Sequence, residues 1–128
     1  MKKDITSLDD IKLFVDEFYS RVREDGVIGP VFAEVITDWQ PHLEKMYAFW
    51  NAVLFAEPGF KGNPFAKHAP LPIAQQHFGR WLELFTETID AHFAGPMVEE
   101  TKQRAGLMAA MFMSKLDRMR NGSGHVIV

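Results

Sequence analysis

The sequence predicts an all-α fold, and three observations carry that prediction. Every long segment returns its apolar residues at three- and four-residue intervals, the spacing of one helix face. Asp25-Gly26, Gly29-Pro30 and Gly95-Pro96 punctuate those segments as turns do. No strand-like alternation, internal repeat or low-complexity run interrupts them, and Val126-Ile127-Val128 is too short to form a sheet. At 128 residues the chain is expected to make a single domain over 1–128, with 1–6 and 121–128 as flexible ends.

The first helix is expected over 8–23. Ser7-Leu8-Asp9-Asp10 resembles a capping box, in which a hydroxyl and a carboxylate meet the free amides of a first turn. Ile11, Phe14, Val15, Phe18 and Val22 then form one stripe. Tyr19 borders that stripe, so its ring belongs inside while its hydroxyl either needs a partner or reaches water at the edge of the core. A short second helix opens with Pro30, carrying Val31, Phe32, Val35 and Ile36.

A third helix is expected over 38–56, with Pro41 tolerated in its first turn. Leu43, Met46, Tyr47, Phe49, Trp50, Val53 and Leu54 cover most of its circumference, which predicts burial on more than one side. His42 and Met46 stand one turn apart on a shared face. The stretch from Glu57 to Pro72 is loop with room for a turn or two of helix between Pro64 and Pro70, and it holds His68. A fourth helix over 73–93 turns Phe78, Trp81, Leu82, Phe85, Ile89 and Phe93 inward. The last is expected over 96–120, with Val98, Ala105, Met108, Phe112, Leu116 and Met119 inward and Asn121-Gly122-Ser123-Gly124 as its stop.

Composition narrows the function. Eleven Phe, seven Met and three Trp are a heavy supply of large apolar side chains, enough to line a flat cofactor as well as a core. The net charge of −3, without a basic block, disfavours nucleic acid as a partner. With no cysteine there is no disulfide, no thiolate metal site and no covalent haem attachment. The start of the chain lacks an apolar run after its lysines, and no 18-residue apolar stretch occurs, so no membrane association and a cytoplasmic location are expected.

Motifs for zinc hydrolases, di-iron bundles, phosphate loops and serine or cysteine nucleophiles are missing from the sequence. What remains is one loop imidazole, His68, and three hydrogen-bond donors on separate helices beside apolar bulk: Tyr19, His42 and Trp81. Haem needs those types, a neutral imidazole for iron and donors for a ligand that takes on negative charge. Bland readings compete residue by residue. His68 among prolines is equally a surface residue, His42 an exposed or capping residue, His77 a solvated or core-edge histidine, and the aromatic stripes plain core.

Resemblance separates these readings. Phe18-Tyr19-Ser20-Arg21-Val22, Gly29-Pro30-Val31-Phe32, the run from Pro41 to Trp50, Ala66-Lys67-His68-Ala69-Pro70-Leu71-Pro72 and the run from His77 to Phe85 together resemble the third group of truncated haemoglobins. The likeness extends over about 11–116. It implies a two-over-two helical sandwich around a non-covalent haem b, with the loop from Glu57 to Pro72 as a reduced proximal helix. It implies His68 as the proximal iron ligand, and Tyr19, His42 and Trp81 on the distal side with the apolar Met46. Phe32 and Phe49 are expected against the cofactor, and Lys45 and Lys67 near its propionates.

The family's activities are varied, so the reaction is left as alternatives. A pentacoordinate haem binding dioxygen, nitric oxide or carbon monoxide would serve redox detoxification, as a nitric oxide dioxygenase or peroxidase-like enzyme with a separate reductase. A second reading is a ligand sensor or carrier working through a partner protein. A third is a cofactor-free helical interaction module.

Overall fold

The structure is a computed structural model that describes residues 2–34, 36–58 and 75–125. Five helices occupy them: α1 Leu8–Glu24, α2 Gly29–Ala33, α3 Trp39–Phe55, α4 Gln75–His92 and α5 Pro96–His125. Helix α1 packs against α2, α3 and α4, and α4 packs in turn against α5, so two helical pairs lie one over the other. No strand occurs among the described residues. The two-over-two arrangement expected from the sequence is the architecture found.

The stripe of α1 is buried as its spacing predicts: Ile11, Phe14, Val15, Phe18 and Val22, with Tyr19 joining them. Ser7 caps the helix, its Oγ accepting from the Asp10 amide at 3.4 Å. The return half of the capping box lands one residue early, because the Asp10 carboxylate accepts from the Thr6 amide at 2.9 Å. On α4, Phe78, Leu84, Phe85 and Ile89 are buried, and on α5 Val98, Ala105, Ala109 and Phe112. Two buried threonines satisfy their hydroxyls within their own helices, Thr88 on the Leu84 carbonyl and Thr101 on the Met97 carbonyl, both at 2.7 Å.

Three expectations are corrected. Residues 2–6 are pinned rather than free. Ile5 is buried in the core, the Lys3 carbonyl accepts from the Ala94 amide, and the Asp4 carboxylate accepts from the Met97 and Val98 amides at 2.9 and 3.0 Å. Those amides are orphan donors in the first turn of α5, so a distant carboxylate caps them. The last helix does not stop at Asn121-Gly122-Ser123-Gly124 but continues to His125, since a glycine within a helix costs only about 1 kcal/mol. On α3, Trp50 is the one apolar residue fully buried, while Met46 and Phe49 are half-buried. Met46 and Phe49 pack against the core and also line a cavity, as Trp50 does.

Candidate functional site

All five helices, or the turns beside them, contribute to one cavity, about 830 Å³ of space counting the part open to solvent. Its walls are almost wholly apolar and aromatic, as suits a large organic ligand. Helix α1 supplies Val15, Phe18 and Tyr19, and α3 supplies Met46, Phe49 and Trp50. Phe32 closes one side from α2, while His77, Phe78, Trp81 and Phe85 come from α4. Met108 and Phe112 of α5 complete it.

Interlocked rings hold the walls in place. Trp81 stacks on Phe85 at 5.2 Å between centroids with planes 13° apart, and Phe85 stacks on Trp50 at 5.3 Å. Phe18 stands edge-on to Trp81 and Phe85, at 5.5 and 5.2 Å. Such contacts add to the burial term and leave each ring few alternative positions. The flat walls of the slot are thereby set before any ligand arrives.

Tyr19 is 7% exposed, packed between Phe18 at 4.8 Å and His42 at 4.9 Å. Burial raises its phenol well above the ordinary tyrosine value, which keeps the hydroxyl protonated and able to donate. A tyrosine at the core edge with its hydroxyl in water, the bland sequence reading, does not describe this position. His42 is half-buried and does not line the cavity; its ring sits behind Tyr19, perpendicular to it at 85°.

Of the residues singled out from sequence, Tyr19, Met46, Trp81, Phe32 and Phe49 converge on this one cavity. Lys45 is exposed on α3 and does not line it. His68 and Lys67 lie outside the described residues. His77, read from sequence as a solvated or core-edge histidine, lines the cavity beside Phe78 and Trp81. The available signal was its spacing, four residues before Trp81 on the same helix face.

Large apolar walls, stacked aromatics and a neutral buried donor fit a porphyrin, a flat group that needs one protein imidazole and brings its other four iron ligands with it. No group of three His, Cys, Asp or Glu residues that could hold a bare metal ion occurs among the described residues.

Comparison with known proteins agrees. Residues 4–115 match the family model of the bacterial-like globins. The fold and cavity thus belong to a globin, in general terms a haem-containing, ligand-binding protein. The chain is 32% identical over 121 residues to the group 3 truncated haemoglobin ctb of Campylobacter jejuni, covering 91% of this chain and 95% of that one. The crystal structure of the group III truncated haemoglobin from Campylobacter jejuni superposes with a TM-score of 0.84 at 33% identity, again covering 91% and 95%. This chain belongs to the group III truncated haemoglobins. More distant likenesses are the group 1 truncated haemoglobin GlbN of Nostoc sp., 27% identical over 91% of this chain and 87% of that one, and, in fold alone, the truncated oxygen-avid haemoglobin of Bacillus subtilis. The latter has a TM-score of 0.71 at 23% identity, covering 83% of this chain and 92% of that one. No helix among the described residues is long and apolar enough to cross a membrane.

Proposed function

We propose that this protein holds haem b without covalent attachment, through His68 as the proximal ligand, and binds dioxygen, nitric oxide and carbon monoxide at a five-coordinate iron. The observation that supports it is the convergence of Tyr19, Met46 and Trp81, from three helices, on one apolar cavity. When bound, haem supplies an iron that binds a diatomic molecule and exchanges electrons with it.

The chain's own residues supply the rest. Tyr19 and Trp81 offer O–H and N–H donors to a guest that gathers negative charge, and His42 fixes the Tyr19 ring from behind. Met46, Phe32 and Phe49 exclude water, and a low local dielectric strengthens each of those hydrogen bonds. A donor to a charged acceptor contributes about 1.5–3 kcal/mol, which slows release by roughly tenfold or more. Retention of that kind suits redox conversion better than delivery. The proposed activity is therefore of the nitric oxide dioxygenase or peroxidase type, in the cytoplasm, with electrons from a separate reductase. Lys67, and Lys45 from its exposed position on α3, are the cations assigned to the propionates.

The test is the absorption spectrum of purified protein with hemin, then with dithionite and carbon monoxide. A Soret band, a high-spin five-coordinate ferrous form and a carbon monoxide complex are expected, and His68→Ala abolishes stable haem uptake. A folded, colourless protein that refuses hemin defeats the reading. His77→Ala abolishing uptake while His68→Ala keeps a five-coordinate spectrum defeats the ligand assignment.

A further inference from the structure

Helix α5 carries two ridges, and the fold uses one of them. Val98, Ala105, Ala109 and Phe112 are buried on the inner side. On the opposite side Leu107 is 62% exposed, the most exposed large apolar side chain among the described residues, and Met111 stands one turn on at 45%. An isolated exposed leucine is ordinary. These two sit instead at the centre of a seam, because Glu100, Arg104, Leu107, Met111, Ser114 and Arg118 follow one another in alternating steps of four and three residues. That is the spacing by which one helix presents a continuous ridge to another. Glu100 is half-exposed and the other five are exposed. Ala110, small and exposed, flanks the centre and leaves room for a close approach.

We propose that a second copy of this chain covers this ridge, the two α5 helices lying antiparallel about a two-fold axis that passes midway between Leu107 and Met111. In that register Leu107 packs on the partner's Met111, and Met111 on the partner's Leu107, an isologous contact. Charge fixes the direction. Glu100 meets the partner's Arg118 at both ends of the seam, while Arg104 falls opposite the partner's Ser114. A parallel pair would set Arg104 on the partner's Arg104 and Glu100 on the partner's Glu100, like charges at close range. Within each chain Arg104 already holds Glu100 in an ion pair at 3.2 Å, so in the dimer each Glu100 carboxylate lies between two guanidiniums. One pair of helices of this length makes a small interface, roughly 1,200 Å² or less, and hence a weak dimer with a dissociation constant on the order of 10–100 µM. Met108 and Phe112 of the same helix line the cavity, so pairing sets two cavities on either side of one shared helical layer. The inference does not depend on what fills them.

Sedimentation velocity of the full chain, from well below to well above that concentration range, is expected to show monomer and dimer in reversible exchange. Leu107→Asp and Met111→Asp, both at exposed positions, are expected to weaken dimerisation by more than about tenfold and to leave the urea midpoint close to the parent's. Arg118→Glu is expected to weaken it by roughly fivefold, through facing carboxylates, and adding Glu100→Arg to restore it to within about twofold of the parent. The sequence has no cysteine, so a single introduced one reports the register without background. Ala110→Cys, beside the axis, is expected to form an intermolecular disulfide under mild oxidation, whereas Gln103→Cys, about 18 Å along the axis from its counterpart, is not. A parent that stays monomeric throughout overturns the inference and leaves the ridge to some other partner. A dimer untouched by Leu107→Asp and Met111→Asp lies on another face and overturns it as well. Equal cross-linking of the two cysteine variants, or an Arg118→Glu protein that dimerises like the parent, overturns the antiparallel register.

Discussion

The guanidinium of Arg80 meets one carboxylate oxygen of Asp25 twice, through Nε and Nη2, each at 2.8 Å. The other oxygen of Asp25 accepts from the amides of Val27 and Ile28, at 3.0 and 3.1 Å. A single carboxylate, 7% exposed, therefore ties the corner between α1 and α2 to α4, one residue before Trp81. The cavity's aromatic wall and the helix opposite it are held by the same ion pair.

That pair makes a prediction for acid stability. Arg80 holds the Asp25 carboxyl below its ordinary value of 3.8, helped by the two amides and opposed by burial. Because the folded value lies under the unfolded one, the contribution is fully present above 3.8 and is lost as pH falls through the folded value. Asp25→Asn is expected to lower the urea midpoint near neutrality, with the gap between parent and variant closing in acid. A gap that persists unchanged at low pH would show that Asp25 acts through packing and not through its charge.

Gly95 carries a second prediction, because its φ of +144° is strained for any side chain, and a Cβ there would stand 2.5 Å from the Asp4 Cγ. Gly95→Ala is expected to cost more than about 1 kcal/mol, from the backbone and from displacing the Asp4 cap. Asp4→Ala alone is expected to cost about 1 kcal/mol, lowering the melting temperature by roughly 4 °C. On the Asp4→Ala background the second substitution meets no carboxylate, so the two costs are expected to sum to more than the double variant loses. Urea denaturation of the four proteins measures that difference.

These two features mark where the sequence stops being readable. The α1 stripe is legible because its burial follows from its own period, and Ser7 announces the start. Asp4 is not, since nothing local says that its carboxylate will cap a helix whose first amides lie 93 and 94 positions later. Period also left Tyr19 at an edge; Phe32, Trp39 and His42, from elements distant in sequence, surround it and decide its burial. The apolar circumference of α3 reads as core, yet Met46, Phe49 and Trp50 also line a cavity, which apolarity alone does not announce. Resemblance assigns His68, and that position lies outside the described residues.

Tyr47 supplies a prediction at the other end of the pH scale. Partial burial, and then the hydrogen bond to Asp16, push its phenol from 10.0 up to about 12. A folded value above the unfolded one means that the contribution is fully present below 10.0 and is lost as pH rises through about 12. Tyr47→Phe is accordingly expected to lower the urea midpoint by a constant amount up to mildly alkaline pH, the difference shrinking beyond it. A constant difference across the whole range would mean that the hydroxyl contributes through something other than its proton.

The proposed ligand-holding role divides between Tyr19 and Trp81 in a way that rates can separate. Tyr19→Phe removes a hydroxyl that burial keeps protonated, and Trp81→Phe removes an indole N–H while keeping a ring to stack on Phe85. Each donor to a ligand bearing charge is worth about 1.5–3 kcal/mol, so either substitution is expected to speed dioxygen release by roughly tenfold or more. Carbon monoxide gathers less charge, so its release is expected to change less, and steric loosening would instead speed both ligands alike. If the donors act on the same ligand in a dry slot, the double variant departs from the product of the single effects, because each hydrogen bond polarises the other. Stopped-flow dioxygen release from the parent, two single variants and the double variant decides the matter, and unchanged rates in both single variants would remove Tyr19 and Trp81 from the distal role.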